Sequence, residues 1–266
     1  MKASAIAIAA HPDDIEFAMA GTLLLLKQAG YEIHYFNLLT GNGGSAEYSA
    51  EATRRIRRQE AKRAARLLGA HWHPPIGDDL ELVYSARNLR RVAAVIRDVR
   101  ATIVLTHAPQ DYMEDHMTTA RLAVTAAFAR GIKNFAVVPT RLAYADDVTV
   151  YHAMPHGLTD WLRKKVVPGA FVNTTSVQEM KLAALAAHDS QQNWLHLSQG
   201  MNSYLQSMMG MSLAVGRMSR RFQHAEGWRR HLHYGFSRTE VDPLKAVLGR
   251  DCLINRKYER GLTREE

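Results

Sequence analysis

The chain has 266 residues, of which 47% are hydrophobic, and this length suits one large α/β domain or a domain with a cap. Lysine and arginine outnumber aspartate and glutamate by 34 to 26, so the net charge of +8 favours anionic partners without identifying one. The single cysteine, Cys252, excludes an intrachain disulfide framework and fits a reducing compartment. No apolar run is long enough for a membrane span, and the first is too short for a signal peptide, so we expect a cytoplasmic protein.

The first half of the chain alternates short apolar runs with helical patterns. The apolar runs predict buried strands over residues 6–8, 32–39 and 103–105. Apolar spacing predicts helices over residues 15–29, 51–68, 87–100 and about 118–130, with an irregular link over 71–84. This βαβαβα order predicts an α/β fold with a Rossmann-like, mostly parallel sheet that is flanked by helices.

The second half of the chain has a less regular pattern. It predicts strands over residues 148–152 and 170–173, and Ser176 to Glu179 have the sequence of a capping box that begins a helix. The Met-rich segment 194–221 is predicted to be helical and to form pliable core or a subunit interface, which permits a homo-oligomer. We therefore predict a single domain over 1–266, with a core of about 4–192 and a C-terminal helical elaboration over about 193–266.

Polar side chains follow the first predicted strand directly, in the sequence His11-Pro12-Asp13-Asp14. Ligands of open α/β sheets bind beyond the carboxyl ends of the strands, so this turn lies where such a fold places its chemistry. Pro12 restricts the backbone of the turn. His11 and Asp14 can therefore face one point while Asp13 faces another.

A second polar cluster follows the strand over residues 103–105 and contains His107 and His116. Together with His11 and Asp14, His116 would complete a metal site of two imidazoles and one carboxylate, and His107 is the main competitor for the third position. Such a site leaves an open coordination position. Zinc is the expected ion, although these ligand types also accept iron or cobalt.

Asp13 would remain free beside such a site and could take a proton from a water that zinc has made more acidic. The other histidines are more often structural than catalytic, and this interpretation applies to His34, His71, His73, His224, His231 and His233.

The predicted helix over residues 51–68 is rich in arginine. A solvated face with glutamate partners is the plain interpretation, and the sharper alternative is that one arginine reaches a polar substrate. Aromatic residues are sparse there, so we expect no nucleic-acid binding. The glycine-rich loop 40–45 lacks the lysine of a phosphate-binding loop and favours close backbone approach to a ligand.

Several motifs resemble those of the LmbE-like (PIG-L) family of zinc-dependent N-deacetylases, in the family's order over about residues 4–192. They are Ala10-His11-Pro12-Asp13-Asp14 with Gly21-Thr22, Thr40-Gly41, Arg57-x-x-Glu60 before Leu68-Gly69, Asp111-x-x-x-Asp115-His116, and His188-x-Ser190-Gln191. Members of the family are Rossmann-like and remove acetyl groups from N-acetylglucosamine-type sugars and their conjugates. The resemblance therefore implies the same fold and a small N-acetylated sugar as substrate.

The resemblance also implies a role for individual residues. The implied zinc ligands are His11, Asp14 and His116. Asp13 would be the general base, and Asp115 would orient the neighbouring polar network. Arg57 would contact the substrate, and with Asn42 it would hold sugar hydroxyls. His188 would lie near the substrate end of the pocket.

One position departs from the family pattern. Many members have a histidine three residues before the last ligand, where it stabilises the oxyanion or protonates the leaving amine, and this chain has Met113. A thioether cannot donate a proton. His188 or His107 would then take the role, or zinc alone would hold the oxyanion. Losing one such donor costs about two to three orders of magnitude in rate.

The sequence thus predicts a hydrolase that uses one Zn²⁺ ion to remove an N-acetyl group from an amino sugar or its conjugate. One alternative is an amidase that acts on another amide-linked sugar conjugate. The other is a metal-dependent sugar-binding protein with weakened catalysis, an alternative that rests on Met113.

Overall fold

The computed structural model describes residues 2–191, 194 and 204–262. The strands are β1 Ser4–Ala9, β2 Glu32–Asn37, β3 His71–His73, β4 Ile103–Thr106, β5 Thr149–Ala153, β6 Ala170–Asn173, β7 Ala225–Arg230 and β8 Cys252–Ile254. The α-helices are α1 Asp14–Ala18, α2 Ala20–Gln28, α3 Ala50–Leu68, α4 Ala86–Val99, α5 Glu114–Phe128, α6 Gln178–Ala186, α7 Tyr204–Ser219, α8 Pro243–Leu248 and α9 Arg256–Leu262.

These strands form one sheet in the order β3-β2-β1-β4-β5-β7-β6-β8. The pairs from β3 to β5 are parallel, and β7, β6 and β8 add antiparallel pairs at the far side. The Rossmann-like α/β fold that the sequence predicts is therefore confirmed. After β1 the chain passes to β2 on one side, and β4 returns to the other side of β1. The carboxyl ends of β1 and β4 consequently flank a crevice where the strand order reverses.

Both faces of the central strands are buried, as expected of a parallel sheet between helices. In β1, Ala5 and Ala7 pack in a core with α2 and α3, whereas Ile6 and Ile8 pack in a second core with α4 and α5. The alternation along β1 places the two cores on opposite faces of the sheet. Among the helices that the structure describes, none combines the length and apolarity needed to cross a bilayer.

The C-terminal part of the chain differs most from the sequence prediction. The segment predicted as a helical elaboration also contributes β7 and β8 to the sheet. The β7 sequence, Ala-Glu-Gly-Trp-Arg-Arg, lacks an apolar alternation, so its pairing partners rather than its own pattern make it a strand. The predicted helix over 194–221 is observed as α7, and residues 195–203 lie outside the described part of the chain.

Local details also depart from the sequence prediction. The helix predicted over residues 15–29 is divided at Met19 into α1 and α2. The segment predicted as an irregular link begins with the short strand β3, which pairs with β2. The capping box predicted at Ser176 is wrong, because the residue at the N-cap of α6 is Val177, without a side-chain cap hydrogen bond. Thr175–Val177 instead form a 3₁₀ turn.

A buried ionic network joins the C-terminal strands to the first helical segment. Glu226 in β7 accepts hydrogen bonds from the backbone N of Gly21 and of Thr22, both at 2.8 Å, and from Thr22 Oγ1 at 2.6 Å. Its carboxylate also lies 2.7 Å from Nζ of Lys181 in α6. A Cβ on Gly21 would come within 2.9 Å of Glu226, so the close approach requires glycine there. This network fixes α2 and α6 against β7.

We predict that Glu226→Gln lowers the free energy of unfolding by about 3–5 kcal/mol, because it leaves the Lys181 ammonium, 1% exposed, without its counter-charge. The measurement is urea-induced unfolding followed by circular dichroism. The double variant Glu226→Gln/Lys181→Met should recover part of the loss, since it removes the unpaired charge as well. A loss for Glu226→Gln below about 1 kcal/mol would contradict a structural role for the pair.

Candidate metal centre

The turn after β1 holds three functional side chains in a constrained backbone. The backbone N of His11 donates a hydrogen bond of 2.7 Å to Oδ2 of Asp14, and Asn37 Nδ2 donates to the backbone O of His11 at 2.5 Å. Asp13, which lies between His11 and Asp14 in the sequence, has a backbone φ of 107°, in the left-handed region. Such a conformation costs an aspartate about 1–3 kcal/mol and occurs mostly at functional sites. The turn thereby directs Asp13 and Asp14 differently.

The crevice at the strand-order reversal brings the two predicted polar clusters together. Ligand atoms of His11, Asp14 and His116 all lie within 4.8 Å of one another. Oδ2 of Asp14 is 3.5 Å from Nδ1 of His11, and its Oδ1 is 3.5 Å from Nε2 of His116. A second group, His107, Asp111 and His116, meets the same criterion, and the described residues contain no further group of this kind.

Each of the two imidazoles in the first group has a carboxylate behind it. Asp115 Oδ2 lies 3.1 Å from Nε2 of His11, and Asp111 Oδ1 lies 3.0 Å from Nδ1 of His116. Carboxylates in this position fix the tautomer of a metal-binding histidine and increase its basicity. Nδ1 of His11 and Nε2 of His116 are left to face Asp14. Two imidazoles with such partners and one carboxylate are a donor set that suits zinc.

His107 is less suited to be the third ligand than His11. Its Nε2 accepts a hydrogen bond of 2.9 Å from the backbone N of Ala10 and lies 3.3 Å from Asp14 Oδ2. The lone pair of that nitrogen is therefore already engaged. The His107 ring stacks on His116 with 4.1 Å between centroids, so it supports the orientation of that ring.

The charge distribution of the site favours an added cation. Burial acts to lower the pKa of His11, but hydrogen bonds to Asp115 and Asp14 outweigh it and raise the pKa to about 10. Burial acts to raise the pKa of Asp14, yet His116 and His107 hold that pKa well below its usual range. Without an ion, the cluster thus binds protons on its imidazoles. A divalent ion would replace protons at the same positions.

Asp13 has the surroundings of a buried base. Its Oδ2 accepts a hydrogen bond of 2.8 Å from Nη2 of Arg57, which also donates to the backbone O of Pro12. Burial raises the pKa of Asp13 above its usual value, although the Arg57 charge opposes this shift. Tyr204 makes a side-chain hydrogen bond with Asp13. Arg57 is 3% exposed and holds Asp13, and it also lines the metal-centre cavity, so the substrate contact predicted for it stays a prediction.

The structure places two of the predicted substrate-binding residues away from the cavity wall. His188 is fully buried and outside the cavity lining, with Nε2 3.3 Å from Oε1 of Glu16, and its charge would act to lower the pKa of Asp13. Asn42 accepts hydrogen bonds from the backbone N of Asp79 at 2.9 Å and from Thr40 Oγ1 at 3.1 Å. Asn42 thus organises the glycine-rich loop, whose Gly43 and Gly44 reach the cavity instead.

The metal-centre cavity has a volume of about 240 Å³ and combines the polar cluster with an apolar wall. Besides the metal-binding group, the polar residues that line it include Asp13, Arg57, Asp79, Asp111, His156 and Gln191. The wall contains the aromatic residues Phe17, Tyr112, Trp194 and Tyr204, and the methionines Met113, Met154 and Met211. The cavity is therefore a polar centre at the base of an aromatic cleft, an arrangement common in small-molecule sites.

Sequence reasoning missed several of these lining residues. His156 lies with its ring 6.0 Å from Tyr112 and 5.1 Å from Phe17, and Tyr204 approaches Asp13 from α7. Neither residue belongs to a local motif, so no sequence signal marked them. Gln191, in contrast, is part of the His188-x-Ser190-Gln191 motif, and its Nε2 donates to the backbone O of Gly44 at 3.0 Å.

Comparison with known proteins identifies a family and individual proteins to which this chain is similar. The sequence profile of the PIG-L family, described as GlcNAc-PI de-N-acetylase, matches residues 6–127. Diacetylchitobiose deacetylase from Thermococcus kodakarensis is 30% identical over 192 residues, an alignment that covers 70% of this chain and 69% of the deacetylase. 4-Oxalmesaconate hydratase from Pseudomonas putida is 28% identical over 201 residues, which cover 71% and 74% of the two chains.

Solved structures show the same fold. The crystal structure of 4-carboxy-2-hydroxymuconate hydratase from Pseudomonas putida superposes with a TM-score of 0.74 at 24% identity, over 91% of this chain and 99% of that one. The metal-centre geometry, the profile match and the 30% identity to the deacetylase lead to one assignment. The chain belongs to the PIG-L (LmbE-like) family.

Proposed function

We propose that the chain is a metal-dependent hydrolase that removes the N-acetyl group from an amino sugar or an amino-sugar conjugate. The observation that carries the proposal is the convergence of His11, Asp14 and His116 in one cavity with the buried carboxylate of Asp13. The relative that is 30% identical is a deacetylase of diacetylchitobiose, which supports the reaction class.

His11, Asp14 and His116 would hold the ion, for which zinc is the proposed identity. A zinc ion in this position supplies a Lewis acid that acidifies water and polarises an amide carbonyl. Asp115 and Asp111 would keep the two imidazoles in place, since each lies about 3 Å from the ring nitrogen that faces away from Asp14.

Asp13 would accept the proton of the attacking water. Its raised pKa makes it a stronger base than an exposed aspartate, and the Arg57 charge limits that rise. Arg57 is a positioning residue in this proposal, because its Nη2 holds one oxygen of the Asp13 carboxylate at 2.8 Å. Tyr204 closes the same side of the cavity.

The departing amine needs a proton that Met113 cannot give. His156 is the proposed donor, because it lines the cavity beside Tyr112 and is an imidazole. His188 lies outside the cavity lining, and Nε2 of His107 already accepts a hydrogen bond from Ala10. His156 would thus supply from another loop the function that the family histidine has at position 113.

The charges of the cavity favour a neutral substrate. Its described lining contains four carboxylates, Asp13, Asp14, Asp79 and Asp111, whereas the one guanidinium, that of Arg57, is already paired with Asp13. One divalent ion and the arginine together leave no excess positive charge. An uncharged acetamido sugar can enter such a site, and its apolar ring face can pack against the aromatic wall.

A second candidate reaction is the hydration of a carbon–carbon double bond. The 28% identity to 4-oxalmesaconate hydratase favours it, and an activated water with a nearby base serves both reactions. A substrate with several carboxylates would nevertheless meet the carboxylate-rich lining described above. N-deacetylation is therefore the better supported of the two reactions.

We further propose a cytoplasmic enzyme with one domain over residues 1–266. The buried free thiol of Cys252 supports a reducing compartment, and the inclusion of β7 and β8 in the sheet supports a single domain. A homo-oligomer stays a prediction from the Met-rich segment.

The direct test is an activity panel with the zinc-loaded protein. Acetate release is measured for N-acetylglucosamine, N,N'-diacetylchitobiose and an amide-linked sugar conjugate, and loss of ultraviolet absorbance is measured for unsaturated polycarboxylates. The proposal expects acetate release from an N-acetyl sugar. Release from the other amide alone would support an amidase, absorbance loss alone would support a hydratase, and sugar binding without turnover would support the weakened binding protein.

We predict that Asp13→Asn retains zinc and loses at least about two orders of magnitude in kcat, because an amide cannot accept the proton. The measurements are acetate release and zinc content of the same preparation. Asp79→Asn is the matched control, since Asp79 also lines the cavity but binds the backbone N of Gly41 and of Gly43. Wild-type turnover by Asp13→Asn would refute the assignment of the base.

We predict that His156→Asn lowers kcat by about two orders of magnitude, because the proton donor is lost. It should also remove the alkaline limb of the kcat–pH profile, a limb that begins below the ordinary imidazole pKa because burial lowers the pKa of His156. Adding Met113→His to this variant should restore part of the rate, since a histidine returns to the position used by the family. A pH profile identical to wild type, or no rescue by Met113→His, would show that His156 is not the donor.

A further inference from the structure

A second cavity, larger than the metal-centre cavity, has the opposite charge. It lies where α5 meets β5 and β7, and its volume is about 510 Å³, within the range of small-molecule sites. We call it the arginine pocket and define it by Arg121, Arg229, His152 and His231. We propose that the arginine pocket binds a small organic dianion that carries a phosphate or two carboxylates.

The first support is the charge of the pocket. Its described lining contains the side chains of Arg121 and Arg229 and two imidazoles but no carboxylate, whereas Arg230, the next residue of β7, directs its side chain to the opposite face of the sheet. Glu240, which accepts a hydrogen bond of 3.1 Å from Nη2 of Arg230, is 70% exposed and lies outside the lining. Because Arg121 and Arg229 have no carboxylate beside them in the described lining, the pocket keeps an excess of positive charge that attracts anions.

The second support is an unsatisfied donor. Nε of Arg229 is buried, and it has no hydrogen-bond partner in the part of the chain that the structure describes. A buried donor without a partner costs free energy, and no protein acceptor competes at this nitrogen of the guanidinium. Guanidinium groups bind carboxylate and phosphate through paired hydrogen bonds, so Arg229 is matched to either anion.

The pairing of the strands explains how these groups come together. His152 in β5 and Arg229 in β7 are register partners in an antiparallel pair, so their side chains lie on one face. His231, two residues after Arg229, returns to that face, and its Nδ1 lies 3.1 Å from Nε2 of His152. The sheet thus presents a row of nitrogen groups to the pocket.

Helix α5 supplies the opposite wall. Arg121, Val124 and Thr125 lie three and four residues apart and therefore share one helix face. The Arg121 guanidinium lies 4.8 Å from the ring centroid of Tyr84, a cation–π contact that holds this side chain beside the pocket. With Tyr258, these residues give the organic part of a ligand an apolar surface.

The arginine pocket is separate from the metal centre, although the two are neighbours. Their described linings share no residue. His152 Nδ1 donates a hydrogen bond of 2.8 Å to the backbone O of His107, whose ring lines the metal-centre cavity. A dianion in the arginine pocket therefore occupies a second site directly behind His107, and its binding does not depend on the reaction proposed for the metal centre.

The test is calorimetric titration of the full-length protein with glucose 6-phosphate and with succinate, with glucose as the uncharged control. We expect one site for at least one of the two dianions and none for glucose. Binding of glucose 6-phosphate alone would assign a phosphate ligand, and binding of succinate alone a dicarboxylate. Arg229→Gln should weaken the affinity about ten- to hundredfold, because it removes a charge-assisted hydrogen bond.

Two further variants keep the test decisive. Arg121→Gln, on the exposed surface of α5, should weaken the same affinity even if Arg229→Gln fails to fold. Arg238→Gln is the matched control, because it removes the same charge from a side chain that is 85% exposed and outside the pocket. The affinity of this variant for the dianion should equal that of the wild-type protein. Absence of dianion binding by wild type, or an equal loss in Arg238→Gln, would overturn the proposal.

Discussion

The Asp14 carboxylate, held between the imidazoles of His11 and His116, is the interaction on which the site depends. The carboxylate lies 3.5 Å from a nitrogen of each ring. His11 comes from the turn after β1, and His116 comes from the first turn of α5, after β4, so neither segment could form the site alone. The reversal of strand order beside β1 brings the two segments together, and the buried carboxylates Asp115 and Asp111 keep the rings in orientation.

The same constraint explains why Asp13 and Asp14 differ although they are adjacent. The left-handed backbone at Asp13 directs its side chain to Arg57, while Asp14 turns back to the amide of His11. Neighbouring imidazoles lower the pKa of Asp14, whereas burial raises that of Asp13. Two chemically identical side chains thus acquire different properties from their surroundings, and these properties suit the proposed roles of a ligand for Asp14 and of a base for Asp13.

The apolar periodicity of the sequence correctly predicted the central strands of the sheet and the helices that follow them. The strands before His11 and His107, and the helices after them, follow from apolar periodicity. β7 could not be predicted, because its buried Glu226 is stabilised by Lys181 from a distant segment rather than by a pattern of its own. A strand that depends on such a partner has no signal in its own sequence.

The candidate site shows the same division. His11, Asp14 and His116 lie in short motifs, and the structure brings their ligand atoms together. His156 and Tyr204 reach the cavity through tertiary packing and belong to no motif. The role of His188 was inferred from its position in a motif, yet the residue is buried beside Glu16 and does not line the cavity. Sequence motifs therefore identified the proposed metal ligands. The residues that complete the cavity wall could be identified only from the folded structure.

Charge is also segregated between two neighbouring cavities. The metal-centre cavity is lined by carboxylates and is the proposed site of a cation, whereas the arginine pocket contains guanidinium groups and is the proposed site of an anion. The excess of basic residues in the whole chain is thus not spread evenly over its sites. His107 separates the two cavities, because its ring faces the metal centre and its carbonyl oxygen binds His152.

The central claim is that one divalent ion binds between His11, Asp14 and His116, and zinc titration of the chelator-treated protein tests it most directly. The pKa of His11 without metal is about 10, so its imidazole carries a proton at pH 7 that zinc must displace. Calorimetry in two buffers of different protonation enthalpy should show one zinc per chain with net proton release, and binding should weaken as the pH falls. Zinc binding without proton release would contradict this claim, and so would a zinc affinity of His116→Ala equal to that of the wild-type protein.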